Sequence, residues 1–163
     1  MGATEAPLHV SDQLRRLVDF LHKAKDFEAV IASLRAGHGA TLDGVRGSSS
    51  ALVAAALVEH CPATLVVVCP HQGDIDEFID DLALFTPRGA EKFPAWETLP
   101  NERAIGDEVS GDRLRLLKDL AKPQASGMVV TSIQSLVQPV PTRAMIEHHT
   151  RRLGIGDTID LEG

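Results

Sequence analysis

The run Thr64-Leu65-Val66-Val67-Val68-Cys69 lies between Pro62 and Pro70 and has no polar residue after its first position. A strand with one wet face alternates polar and apolar residues. An unbroken β-branched run instead predicts a central strand covered on both faces. Such a strand needs helices on both sides of its sheet, and the chain supplies candidates. Ile75, Phe78, Ile79, Leu82 and Phe85 recur at helical spacing, while Asp74, Asp76, Glu77, Asp80 and Asp81 fill the opposite face as expected solvated surface. Residues 127–131 (GMVVT) predict a second buried strand, Glu91-Lys92-Phe93 a weaker one, and residues 40–45 (ATLDGV) a short strand entering a tight turn. Between them lie a helix at 51–58 that is apolar all round and therefore buried, a helix at 107–120 with Val109, Leu116, Leu117 and Leu120 inward, and a short helix through Leu136 and Val137. Strands alternating with crossover helices predict an α/β fold of three layers with a mainly parallel sheet.

Ahead of this alternation the pattern is purely helical. Leu14, Leu17, Val18 and Leu21 follow a capping Ser11, and Phe27, Val30, Ile31 and Leu34 follow a capping Asp26 and stop at Gly37 and Gly39. Together they predict an N-terminal helical hairpin. Residues 1–10 have no periodicity and are expected to form a flexible tail.

Composition narrows the function. The longest apolar run, residues 51–58, is far short of the roughly 18–20 residues of a membrane span, and no signal-like segment opens the chain. Two cysteines, Cys61 and Cys69, make no disulfide framework, so a soluble, cytoplasmic protein is expected. The net charge of −7 opposes non-specific attraction to nucleic acid, and 4% aromatic residues with no Tyr provide little for base stacking. The seven histidines show no His-x₃-His pairing, so no metal site is expected. Ser48, Ser49 and Ser50 have no His/Asp partners at a nucleophile-elbow spacing, so hydrolase chemistry has no support.

The turn at 44–51 stands where a strand–turn–helix phosphate loop would lie. In G-x-x-x-x-G-K-[ST] the amides wrap the phosphates, the Lys neutralises their charge and the hydroxyl holds Mg²⁺. Here Gly44 is present, but Ser49 replaces the second Gly, Ser50 the Lys and Ala51 the Ser/Thr. Gly47 and Ser48 complete the loop, and Arg46 is wrongly placed to substitute for the Lys. No catalytic residue, cofactor or metal is therefore expected. At most the amides of residues 47–51 hold an anion such as sulfate weakly at a helix N-terminus. Two further features can be read in two ways. Trp96, between Pro94 and Pro100, is either the hydrophobic anchor of a loop or an exposed contact, and His148, His149, Arg151 and Arg152 form either a partner surface or a solvated basic edge.

Taken together, GVRGSSSALVAAAL, TLVVVCP, KFPAWETLPNERAIGDEVSGDRLRLLKDL and VVTSIQSLVQPVP resemble the N-terminal, UvrB-like region of the bacterial transcription-repair coupling factors, the Mfd family. The FPAWETLP string before an RLRxLxxL helix is the most specific part. Against the GVTGSGKT loop of UvrB, Gly44, Val45, Gly47 and Ser48 agree and Ser49, Ser50 and Ala51 depart; the Tyr-rich DNA-probing hairpin of UvrB has no counterpart between Trp96 and Gly106. The resemblance implies a degenerate P-loop helicase domain over residues 11–152, with residues 153–163 beginning a following UvrA-binding domain. It implies a non-catalytic docking platform of an ATP-driven translocase. ATP and Mg²⁺ would belong to the motor domain, UvrA mainly to the segment after Gly163, and RNA polymerase and duplex DNA to more distant domains, with no membrane partner. On the residues alone, an active UvrB-type helicase domain and an unrelated α/β binding module remain alternatives.

Overall fold

The computed structural model describes residues 10–96, 107–122, 127–148, 150 and 154–156. Among these are seven helices and three strands. The order is α1 (Val10–His22), α2 (Lys25–Arg35), α3 (Ser48–Val58), β1 (Thr64–Cys69), α4 (Asp74–Phe85), β2 (Ala90–Phe93), α5 (Asp107–Leu120), β3 (Gly127–Ser132), α6 (Ile133–Val137) and α7 (Arg143–His148). The strands form one parallel sheet in the order β1-β3-β2, with Val66 opposite Val129 and Glu91 opposite the same Val129. This is the expected α/β layering. Helices α3 and α4 cover one face, packing Ala51, Ala54, Ala55 and Leu82 against Leu65, Val67 and Met128. On the other face Leu116 and Leu117 of α5 meet Phe93 and Val129. Fully burying one such branched side chain stabilises by about 1.5–3 kcal/mol, so these layers hold the sheet.

The helical hairpin forms, with corrected caps. Helix α1 is already under way at Val10, so Ser11 lies inside it. Helix α2 starts after Ala24, whose carbonyl accepts from the amides of Phe27 and Glu28, both at 3.0 Å. Asp26 is thus the second residue of the first turn, where its charge favours the positive helix end without capping it. The stop at Gly37 is as read. Gly37 takes φ +79°, and the amides of Gly37 and His38 return to the carbonyls of Leu34 and Ser33 at 3.0 Å, closing a Schellman motif.

Three expectations fail. Residues 40–45 form no strand: Asp43 Oδ1 takes the amide of Gly44 at 2.8 Å, Gly44 turns to φ +75°, and the stretch pairs with no strand among the described residues. β1 is an edge strand and β3 the central one. Val66 and Val68 remain 50% and 43% exposed because α5 covers β2 and β3 on that face and stops short of β1. In α5, Leu120, expected inward, faces outward at 37% exposure, while Arg113, outside the expected stripe, is buried. Helix α7 lies in a stretch read only as a turn and a last segment. The expected tail, the segment 97–106 and nearly all of 153–163 lie outside the described residues.

Candidate functional site

Ligands of open α/β folds bind outside the carboxyl ends of the strands, and the turn 44–51 and Trp96 lie there. The turn ahead of α3 is closed on itself. Gly44 and Gly47 both take positive φ, +75° and +55°, and α3 starts directly after Gly47. Ser49 Oγ accepts from the amide of Arg46 at 2.8 Å and donates to the carbonyl of the same residue at 2.7 Å, and the amide of Ser50 reaches the Gly47 carbonyl at 2.9 Å. The hydroxyl standing at the second-glycine position thus serves the turn. Ser48 is exposed, and Ala51 is completely buried in the core, so a methyl group fills the place of the metal-binding hydroxyl.

Gly47 and Ser50 open onto a cavity of about 370 Å³ at the end of β1, floored by Val67, Val68 and Phe78. Its charged walls are Asp74, Glu77 and Asp81 of α4, and among the described residues no Lys or Arg lines it. Arg46 is exposed and is not in the wall. Part of the acidic face of α4 is therefore turned toward the loop: Asp74 and Asp81 are half-buried there, whereas Asp76 is exposed and pairs with Lys92 at 2.7 Å. Three carboxylates lining one cavity oppose a polyanion there directly. The helical spacing 74, 77, 81 was visible in the sequence, but not which neighbour it would meet. Cys69 lines the same cavity; burial, and then the nearby Asp74 charge, push its thiol up, so it stays protonated and unreactive at neutral pH.

At the ends of β2 and β3 the arrangement is reversed. Residues 93–96 (FPAW) have their backbone held by side chains from elsewhere. Thr131 Oγ1 donates to the Phe93 carbonyl at 2.9 Å and Arg113 Nη1 to the Pro94 carbonyl at 2.5 Å. Gln72 Oε1 accepts the amide of Ala95 at 3.2 Å, while Gln138 accepts the amide of Trp96 at 2.7 Å and donates to its carbonyl at 3.1 Å. Ser132 Oγ donates to Gln72 at 2.9 Å and accepts the amide of Ser135, capping α6. Arg113 is only 2% exposed, with its guanidinium 4.2 Å from the Phe93 ring centre and 5.2 Å from that of Trp96. Burial pushes this guanidinium below its ordinary range. Arg113 Nη2 and Trp96 Nε1 are buried without a hydrogen-bond partner among the described residues.

Two transcription-repair-coupling factors, from Mycobacterium bovis and Mycobacterium tuberculosis, are each 36% identical to this chain over 124 residues, 71% of its length. This chain is related to the transcription-repair-coupling factors. It spans 10% of the length of each of these relatives. No protein-family model matches it. The resemblance read from the FPAWETLP string and its companions is thus carried by the sequence over most of the chain.

Of the residues singled out in advance, the loop positions 44 and 47–51 come together at the carboxyl end of β1, separate from the clamp around Trp96. Trp96 is half-buried and pinned at both backbone groups, as expected of an anchor. His148 ends α7 in an exposed position, and His149, Arg151 and Arg152 lie outside the described residues. Among the described residues no group of three or more His, Cys, Asp or Glu could hold a metal ion, and no helix is long and apolar enough to cross a membrane. Gln72, Arg113, Thr131 and Gln138 were missed. Arg113 had one available signal, its place in the RLRxLxxL motif, but polar residues that bond to backbone leave no periodicity to read.

Proposed function

We propose that this chain is an N-terminal, non-catalytic module of a cytoplasmic transcription-repair coupling factor, a degenerate UvrB-like helicase domain that acts as a docking platform. The observation that carries the reading is the pairing of 36% identity to those factors with a phosphate loop that lacks its Lys and faces Asp74, Glu77 and Asp81. The cationic groups that stabilise phosphoryl transfer are worth about 10³–10⁵ in rate, and this cavity supplies none. ATP and Mg²⁺ belong to a motor elsewhere in the longer protein, as do RNA polymerase and duplex DNA, and UvrA is recruited mainly through the segment after residue 163. Purified chain should show no saturable Mg-ATP hydrolysis and no sub-micromolar DNA binding at physiological salt. In a pull-down it should capture UvrA poorly, because a specific interface needs about 800 Å² from each partner. A version extended by about 100 residues should restore capture. Equal capture by both would move the recognition surface into residues 1–163, and ATP turnover would overturn the non-catalytic reading.

A further inference from the structure

Helices α5 and α7 enclose an open cleft of about 730 Å³, separate from the loop and the clamp. Its floor is apolar: Leu117 of α5, Ala121 just after it, Pro141, and Ile146 of α7. Among the described residues its rim carries Lys118, Lys122 and Arg143 against Glu147, with Asp119 beside Lys122. In a chain of net charge −7 this is a local reversal of sign. Lys118 is exposed and has no ion-pair partner among the described residues. Lys122, just past the end of α5, pairs with Asp119 in its last turn, and Arg143 with Glu147 at 2.8 Å, four residues along α7. Exposed pairs of this kind are worth only about 0–1 kcal/mol, so an incoming carboxylate can replace either at little cost.

We propose that this cleft is a docking groove for an acidic amphipathic protein segment, a helix whose apolar side chains enter between α5 and α7 and whose Asp or Glu residues meet the three cations. An apolar floor beside a cationic rim matches helix-in-groove recognition, in which anchors at i, i+3, i+4 and i+7 fill the groove. A sugar-phosphate backbone would gain from the rim but bury Leu117 and Ile146 against charge, so a protein segment is favoured over nucleic acid. The assignment rests on the cleft alone and is independent of the repair reading.

The test uses the full chain and a labelled synthetic peptide of about 15 residues, roughly four helical turns, with Leu at helical spacing and Glu on the flanks. Fluorescence anisotropy should show saturable micromolar binding that weakens as salt rises. Amide NMR shifts should concentrate on α5 and α7. Lys118→Glu should weaken binding about tenfold or more, as should Ile146→Ser, while Lys118→Arg should bind like the unaltered chain. Lys118 is exposed, so its variants keep the test decisive if Ile146→Ser fails to fold. The proposal is overturned by absence of saturable binding, by unchanged affinity in Lys118→Glu, or by equal binding of a peptide with Lys replacing Glu. Tighter competition for the cleft by a DNA oligonucleotide would overturn it too, assigning the groove to phosphate.

Discussion

At the carboxyl end of β1 the turn 44–51 bonds to itself, through Ser49 and the Arg46 backbone, and faces three carboxylates. At the end of β2, by contrast, residues 93–96 are bonded by four side chains that come from the β1–α4 connection, α5, β3 and the stretch after α6. The exposed positions of a turn that holds its own shape can change without disturbing distant elements. A segment tied to four distant places cannot. Polar side chains at this edge of the sheet thus fix the backbone of residues 93–96, while those of the turn bond only within it.

The hardest test of that contrast is Arg113. Arg113→Ala should lower stability by about 3 kcal/mol in urea denaturation, since it empties buried volume and frees the Pro94 carbonyl. Arg113→Met keeps the volume and removes the unpaired Nη2, so it should cost only about 1–2 kcal/mol. A cost below about 0.5 kcal/mol for Arg113→Ala would mean that the clamp does not stabilise the fold.

Restoring the loop by Ser49→Gly, Ser50→Lys and Ala51→Thr should still give no Mg-ATP turnover, because the carboxylates of α4 remain. It should also cost about 1–3 kcal/mol from crowding and burying a hydroxyl at fully buried Ala51. Measured ATPase activity in this triple variant would show that only the three residues were missing. Gln138→Ala should cost about 1–2 kcal/mol by leaving both backbone groups of Trp96 without their partner, read by the same denaturation curves.

The smallest effect concerns the cavity beside the loop. Cys69 should react with a thiol reagent more slowly than the half-buried Cys61 at pH 8, since it is 5% exposed and its thiol is pushed up. Because the folded state favours the protonated thiol, this contribution to stability is fully present below the ordinary thiol value and is lost as pH rises from there through the raised folded-state value. Equal labelling rates would show the cavity to be open.

Much of the fold could be read from the chain because it depends on local periodicity. The apolar stripe of α4 buried Ile75, Leu82 and Phe85 as spaced, and the run at 127–131 became the fully covered β3. The same rule misjudged β1, because a β-branched run states that a strand is apolar, not how far the neighbouring layer extends. It misjudged residues 40–45 for a related reason: pairing needs a partner, and Asp43 offered the Gly44 amide a nearer one. The loop residues 44 and 47–51 were legible because the missing Lys and hydroxyl are a matter of residue identity.

By itself, then, the sequence determined the α/β alternation, the helix stop at Gly37 and the absence of a Gly-Lys-Ser/Thr string from residues 49–51. Each follows from residues within a few positions of one another. Only the tertiary structure decided that Asp74, Glu77 and Asp81 face the loop, that Arg113 is buried over Phe93 and Trp96, and that α5 and α7 leave a cation-rimmed cleft. Those are meetings between side chains far apart in the chain. Their energies depend on distance and burial, and no residue pattern carries either.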